Sequence, residues 1–235
     1  MTIPHQFQRT QMLLGADALT KLLTSRVAVF GVGGVGGYVC EALVRTGVGA
    51  IDLIDNDTVS ETNLNRQLIA LHSTLGQPKV EAMKRRLLDI NPHVAVTCHN
   101  LFYLPENADA LPLEGYDFVV DAIDTLSAKV EIAVRCQGAG VPLICAMGAG
   151  NRLDPTALYI TDLYQTSGCP LARRMRSLCR KAGIEHLPVC VSRENALTPD
   201  LPEDAPRCPG STAFVPPAMG LTIAAYVVRE LTKIP

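Results

Sequence analysis

Tryptophan is absent from this 235-residue chain, and aromatic residues of all kinds make up only 5% of it. Proteins that bind single strands without reading their sequence stack the bases on aromatic side chains. With 5 Phe and 6 Tyr, the chain has few residues for such a platform. The composition therefore argues against a single-strand-binding module.

Charge is also scarce. Only 19% of the residues are charged, below the usual quarter, and the formal net charge is −2. A chain of this kind has no overall field that attracts a polyanion, so any nucleic-acid contact must come from a local patch. The 48% of hydrophobic residues predict a sheet covered on both faces or a large oligomer interface.

Long apolar runs are missing as well. The first residues, MTIPHQFQRTQ, are polar where a signal peptide needs an apolar run, and the longest later apolar stretch is too short to span a bilayer. We expect a cytoplasmic protein that does not enter a membrane.

The cysteines form no C-x-x-C pair, although the chain has 8 of them, so no structural zinc site is expected. Four occur within apolar periodic runs and are expected to be small buried hydrophobic residues: Cys40, Cys98, Cys136 and Cys145. Three lie in less regular segments and are the candidates for a reactive thiol: Cys169, Cys190 and Cys208.

The most informative stretch is RVAVFGVGGVGG, residues 26–37. An apolar strand runs into glycines at the G-x-G-x-x-G spacing, and a helix predicted from Val35 to Thr46 follows. Such a turn lets backbone N–H groups approach a phosphate, and the helix directs its positive end at the anion. A glycine turn can also serve packing alone. The glycines concerned are Gly31, Gly33, Gly34 and Gly36.

A carboxylate follows at the distance expected for ribose binding. The strand Ala50 to Asp55 ends 19 residues beyond Gly36, although Asp55 could equally be a strand-end turn residue. Beyond it, Asn63, Arg66 and Lys79 place two cations and an amide near the ribose acid. Because charge must be offset on an attacked phosphate and a leaving pyrophosphate, this set favours a triphosphate over a dinucleotide.

Two further carboxylates end a later strand. Asp121 and Asp124 lie in DFVVDAID, after a strand predicted over residues 117–121, at the edge where open α/β sheets bind ligands. Mg²⁺ needs few protein carboxylates when phosphates complete its shell, and Asp124 is the favoured ligand. Asp121 could instead cap the following helix.

The order of the elements predicts one α/β domain over residues 1–235, with a Rossmann-like, mostly parallel sheet, helices on both faces and an antiparallel C-terminal extension. Its parts are a helical arm (1–25), a nucleotide-binding half (26–150) and a substrate or dimer half (151–235) with a mobile loop at 193–210.

A basic helix is predicted from Pro170 to Gly183. It would either bind a phosphate backbone or be an ordinary solvated helix. Its cations are Arg173, Arg174, Arg176, Arg180 and Lys181.

The combination of GVGGVG, DNDTVSETNLNRQ, GQPK and DAIDT resembles the ubiquitin-activating-enzyme superfamily of adenylating proteins. The resemblance implies ATP and Mg²⁺ as ligands and a homodimer. In that superfamily an N-terminal arginine reaches the partner's triphosphate, and Arg9 is the matching position. The resemblance implies nucleotide binding by the four glycines and by Asp55, Asp57, Asn63, Arg66 and Lys79, with Asp124 on Mg²⁺.

Within that superfamily, INPHVAVT, DAIDTLSAK, AGNRLDPTALYITDLYQTSGCPLARRMR and PVCVSRE are similar to the tRNA threonylcarbamoyladenosine dehydratases. This implies an enzyme that activates a carboxylate of modified tRNA as an acyl-adenylate and closes a ring with loss of water. Two alternatives stay open: activation of a ubiquitin-like sulfur carrier, using a thiol such as Cys190 or Cys208, and a non-catalytic or NAD-binding module. A sulfur-relay partner and a monovalent cation, Na⁺ or K⁺, are left open.

Overall fold

The computed structural model describes residues 3–198 and 208–234. Seven strands form one sheet, in the spatial order β3-β2-β1-β4-β5-β7-β6. The strands are β1 (Arg26–Phe30), β2 (Ala50–Ile54), β3 (Ala95–His99), β4 (Phe118–Asp121), β5 (Leu143–Ala146), β6 (Leu158–Asp162) and β7 (Pro188–Ser192).

All neighbouring strands are parallel except β6 and β7, which are antiparallel. This confirms the expected α/β fold with a mostly parallel sheet and an antiparallel C-terminal extension. The helices are α1 (Gln8–Leu14), α2 (Ala16–Thr24), α3 (Gly36–Thr46), α4 (Lys79–Ile90), α5 (Leu126–Ala139), α6 (Pro170–Lys181) and α7 (Val215–Thr232).

Two apolar cores cover the two faces of the sheet. Alternate residues of β1 point to opposite sides, so Val27 and Val29 join one core while Ala28 and Phe30 join the other. Helices α3, α4 and α7 cover the first face, and α5 and α6 cover the second. The carboxyl ends of the parallel strands are left free between these layers, where a ligand can enter.

The N-terminal arm differs from the single leading helix expected over residues 5–25. A short 3-10 turn is followed by α1 and α2, which are separated at Gly15, where φ is +86°. Because a residue in that region cannot continue a right-handed helix, the chain changes direction there. Part of the expected loop at 193–210, residues 199–207, lies outside the described residues.

A buried carboxylate lies in the middle of β2. Asp52 is 1% exposed, and its oxygens accept hydrogen bonds from the Arg26 guanidinium at 2.9 Å and the Tyr116 hydroxyl at 3.0 Å, while His99 Nε2 lies 2.8 Å away. Burial opposes ionisation, but these hydrogen bonds prevail, so the pKa of Asp52 is lowered. The network ties together β1, β2, β3 and the segment before β4.

No helix in the described part of the chain is both long enough and apolar enough to cross a membrane.

Candidate active site

A cavity of about 730 Å³ opens at the carboxyl ends of β1, β2, β4 and β5. Its volume lies in the range of small-molecule and cofactor sites. Most of the residues singled out in the sequence as nucleotide ligands line it: Gly31, Gly33, Asp55, Asp57, Asn63, Arg66, Lys79 and Asp124.

The glycine turn forms the floor between β1 and α3, and two of its glycines are required by close backbone approach. A Cβ on Gly36 would lie 1.8 Å from the carbonyl oxygen of Gly31, and one on Gly31, where φ is +86°, would lie 2.8 Å from that of Ala122. Gly33 faces the cavity. Gly34, expected with them, instead packs near Arg66 and does not line the cavity. Gly36 also lies outside the lining.

Asp55 follows β2 directly and reaches back to the glycine turn. One carboxylate oxygen accepts the N–H of Val32 at 2.7 Å, and the other accepts the N–H of Asp57 at 2.8 Å. Each carboxylate oxygen has a second lone pair. The carboxylate is therefore held in place and can still accept hydrogen bonds from ligand hydroxyls.

Lys79 begins α4, and its side chain is only 7% exposed. Its ammonium lies 2.7 Å from Oδ2 of Asp57, a carboxylate that is 61% exposed. An ammonium with so little water contact needs a partner. Asp57 supplies it, so this residue reaches the cavity as the counter-ion of Lys79.

Arg66 and Asn63 lie on the loop between β2 and α4. The Arg66 guanidinium donates to the carbonyl of Thr62 at 2.9 Å and to Oδ1 of Asn65 at 3.0 Å. Among the described residues, no carboxylate forms a salt bridge with it. Asn63 uses Oδ1 to accept the N–H of Ser60 at 3.1 Å. The guanidinium thus remains available to an anion in the cavity.

Gln67 is a cavity residue that the sequence analysis missed. It is 7% exposed, lines the cavity, and its Oε1 has no hydrogen-bond partner in the part of the chain that the structure describes. The available signal was its place directly after Arg66 in the motif NLNRQ. A buried amide oxygen without a partner is uncommon in proteins and indicates a missing donor.

The two acids after β4 have different environments. Asp124 is exposed at the cavity and takes part in no hydrogen bond or ion pair within the described ranges. Asp121 is fully buried and pairs with Lys129 at 2.8 Å. The expectation that Asp121 binds metal or caps α5 is therefore wrong, because its carboxylate is enclosed and Thr125 occupies the position before the helix.

These surroundings leave Asp124 as a candidate Mg²⁺ ligand. No cluster of three or more His, Cys, Asp or Glu residues suited to a metal occurs in the described ranges. Mg²⁺ is often held by one or two carboxylates together with substrate phosphates. A single free carboxylate beside Arg66 and Lys79 fits that requirement when a polyphosphate is bound.

The cysteines expected to be reactive differ sharply. Cys190 is fully buried in β7, and burial raises the pKa of its thiol to about 12. Cys169 is also buried. The expectation of a reactive thiol at Cys190 is therefore wrong, since the thiolate is the nucleophilic form, and the burial of Cys169 leaves little access for a reagent there. Cys208 is exposed. Among the cysteines expected to be buried, only Cys98 is partly exposed.

The basic helix α6 is less uniform than expected. Arg176 donates to the backbone carbonyl of Thr166 at 2.9 Å, so its guanidinium is engaged in the fold. Arg180 lies over the ring of Tyr164, 5.1 Å from its centre. The remaining three cations of the helix are exposed: Arg173, Arg174 and Lys181.

Arg9 lies on α1 and does not line the cavity of this chain. It is exposed, and two large apolar side chains on the same helix are also exposed, Met12 at 80% and Leu13 at 83%. Met12 and Leu13 therefore leave two adjacent large apolar side chains of α1 in water.

The fold and the cavity define a Rossmann-like protein. Its nucleotide-sized site lies at the carboxyl ends of the strands, where the strand order reverses between β1 and β4. The chain belongs to the ThiF family, whose model matches residues 7–235.

Three relatives illustrate this membership. The tRNA threonylcarbamoyladenosine dehydratase of Bacillus subtilis is 42% identical, over 97% of this chain and 95% of that protein. The crystal structure of the Escherichia coli tRNA N6-threonylcarbamoyladenosine dehydratase in complex with ATP superposes with a TM-score of 0.90 at 32% identity, covering 99% of this chain and 98% of that one. The molybdopterin-synthase adenylyltransferase of Escherichia coli is 38% identical, over 72% of this chain and 68% of that protein.

Proposed function

We propose that this chain uses ATP to dehydrate threonylcarbamoyladenosine in tRNA by way of an acyl-adenylate. The observation that carries the proposal is the meeting of Asp55, Arg66, Lys79 and Asp124 in one cavity beside the glycine turn. The near full-length similarity to the Bacillus subtilis dehydratase supports the choice of substrate. A tRNA substrate supports the proposal that the enzyme acts in the cytoplasm.

ATP would lie with its ribose at Asp55 and its phosphates toward Asn63, Arg66 and Lys79. The Asp55 carboxylate is held by two backbone N–H groups and can accept ribose hydroxyls. The guanidinium of Arg66 and the ammonium of Lys79 lie in a recessed cavity, where charged hydrogen bonds are stronger than in water. Gly33 lets the backbone approach the phosphates closely.

Mg²⁺ would be held by Asp124 together with the phosphates of ATP. When bound, the ion neutralises charge on the phosphates and on the departing pyrophosphate. Arg66 and Lys79 act in the same direction. Their fixed positive charges stabilise the negative charge that develops when the α-phosphate is attacked.

The reaction then needs no nucleophile from the protein. The substrate carboxylate attacks the α-phosphorus of ATP, the bond to the β-phosphate breaks, and pyrophosphate leaves. The ureido nitrogen of the same nucleoside attacks the activated carbonyl, loses its proton, and displaces AMP as the ring closes. Because this second step is intramolecular, holding the substrate in position replaces covalent catalysis.

The exposed cations of α6 are the proposed tRNA contact. Leu171, in the first turn of that helix, lines the cavity, so Arg173 and Arg174 lie close in sequence to the site. Together with Lys181 they form a local positive surface on a chain whose formal net charge is −2. Contacts of this kind bind the phosphate backbone and position it without reading the bases.

A homodimer would complete the site. Exposed Met12 and Leu13 on α1 are suited to bury against a second copy. Arg9, on the same helix, would then reach the triphosphate of the partner. In such a dimer, an arginine that does not line the cavity of its own chain would contribute to catalysis in the partner.

The similarity to a molybdopterin-synthase adenylyltransferase supports a second candidate, adenylation of a carrier protein. Of the two thiols considered for such chemistry, the structure leaves only Cys208 exposed. The dehydratase is favoured because the Bacillus subtilis relative matches over a larger share of both chains.

The test measures AMP release from ATP and Mg²⁺ by purified protein, followed by mass spectrometry of the tRNA nucleosides. The substrate is tRNA carrying threonylcarbamoyladenosine, and the matched control is the same tRNA without the modification. AMP release together with loss of one water from the modified nucleoside is expected. ATP use with unchanged tRNA would move the assignment to a carrier protein, and no ATP use at all would return it to a dinucleotide-binding module.

A further inference from the structure

A buried ion pair adjoins the loop that carries Asp124 into the cavity. Lys129, in α5, and Asp121, at the end of β4, are both fully buried, and their charged groups lie 2.8 Å apart. Neither residue lines the cavity. A buried ion pair is seldom a strong source of stability, because desolvation offsets its attraction, so its presence calls for another reason.

The pair holds both backbone polar groups of Ile123, the residue before Asp124. Oδ1 of Asp121 accepts the N–H of Ile123 at 3.2 Å, and the ammonium of Lys129 donates to the carbonyl of Ile123, also at 3.2 Å. The two peptide units that flank Ile123 are therefore each held, one through its N–H and the other through its carbonyl. Without these contacts the N–H and the carbonyl of Ile123 would need other partners or water.

The third contact of the ammonium reaches the end of β5, the strand next to β4 in the sheet. Lys129 donates to the carbonyl of Ala146 at 2.9 Å, and Ala146 is the last residue of β5. The cavity-lining segment 147–150 begins directly after it. An ammonium has three N–H donors. Here two hydrogen bonds go to carbonyls and the carboxylate of Asp121 is held as an ion pair, so the contacts reach the segments that follow β4 and β5.

We propose that Lys129 is a positioning residue that joins the Asp124 loop to the 147–150 segment and so fixes the position of these two cavity-lining segments relative to each other. It touches no ligand and acts only through Asp121, Ile123 and Ala146. The consequence for catalysis rests on the proposed function, since Asp124 matters for turnover only if it serves ATP chemistry. The consequence for loop order does not.

The test is the double variant Asp121→Asn/Lys129→Met. It removes both charges with side chains of similar length, so no lone charge is left buried. The Asp121→Asn change also retains an acceptor for the N–H of Ile123. The matched control is Arg26→Met/Asp52→Asn, which removes another ion pair of the sheet that does not line the cavity.

Both variants are compared with the unmodified chain at a temperature where circular dichroism shows all three folded. Amide hydrogen exchange is followed for residues 122–126 and 147–151, and tRNA-dependent AMP release is followed at varied ATP. In the Lys129 variant we expect at least tenfold faster exchange in both segments and at least a tenfold lower kcat, with the KM for ATP within threefold. The control should leave both readouts within twofold.

Exchange rates in the two segments that stay within twofold of the unmodified chain, or that rise equally in the control, would overturn the proposal. Accelerated exchange without any fall in kcat would overturn the part of the proposal that concerns catalysis. If the unmodified chain releases no AMP, the proposed function fails, and amide exchange alone decides whether Lys129 orders the loops.

Discussion

Lys79 offers the sharpest test of the phosphate site, through the substitution Lys79→Met. The change removes the ammonium but keeps an unbranched side chain of similar length in a position that is 7% exposed. If Lys79 binds a phosphate, one hydrogen bond to a charged group is lost, worth about 1.5–3 kcal/mol. At about 1.4 kcal/mol for each factor of ten, AMP release should fall roughly 10- to 150-fold.

The effect on folding should be small. Asp57, the partner that loses its counter-ion, is 61% exposed, so water can solvate its carboxylate. Pairs with an exposed member contribute about 0–1 kcal/mol. We therefore expect the free energy of unfolding in urea to change by less than about 1 kcal/mol, and a fall in activity would then reflect the site alone.

Lys84→Met is the matched control, because Lys84 lies on the same helix and does not line the cavity. It should leave AMP release within twofold of the unmodified chain. A fall of less than threefold in Lys79→Met would refute the assigned phosphate contact. An equal fall in both variants would show that α4 responds to any loss of positive charge, which also contradicts the reasoning.

Three further outcomes are expected. Gly36→Ala should lower the urea midpoint sharply or prevent folding, because its Cβ would lie 1.8 Å from a carbonyl oxygen. The matched change Gly138→Ala meets nothing within 4 Å and should stabilise α5 by about 0.5–1 kcal/mol. The lowered pKa of Asp52 means that its ionised carboxylate stabilises the fold at any pH above the pKa of the unfolded state. This stabilisation is lost as the pH falls through the lower pKa of the folded state. Asp52→Asn should therefore flatten the acid limb of the stability curve, measured by thermal melts between pH 6 and pH 2. Iodoacetamide followed by peptide mass spectrometry should label exposed Cys208 in the native protein and reach Cys190 only after unfolding in guanidinium; labelling of both at equal rates would contradict the burial of β7.

Patterns along the chain predict most of the sheet, because buried strands and glycine turns are local signals. The strand before Asp55 and the helix beginning at Lys79 were predicted to within one residue. The arm was not, since an apolar helical spacing continues across Gly15, and only the backbone angle there separates α1 from α2. Periodicity does not report that angle.

The sequence predicted the side chains that face the cavity better than the buried side chains that hold the loops in place. The spacing of Asp55, Arg66 and Lys79 predicted residues that line one cavity. Whether an acid is free or enclosed is set by what packs on it, so the sequence could favour Asp124 over Asp121 but could not show that Asp121 is enclosed by an ion pair with Lys129. Lys129 gives no local signal at all, because its partners come from two strands that meet only in the fold.

The distribution of charge explains how a slightly acidic chain could act on two polyanions. Arg66 has no carboxylate partner in the described ranges, and the partner of Lys79 is mostly in water, so both cations can turn to a phosphate without leaving a buried acid unpaired. Arg173 and Arg174 are exposed on α6 and would meet the second polyanion at the rim. Binding of tRNA should therefore weaken steeply with added salt, as released counter-ions compete. Binding of ATP in the recessed cavity should change far less, because partly buried pairs are poorly screened.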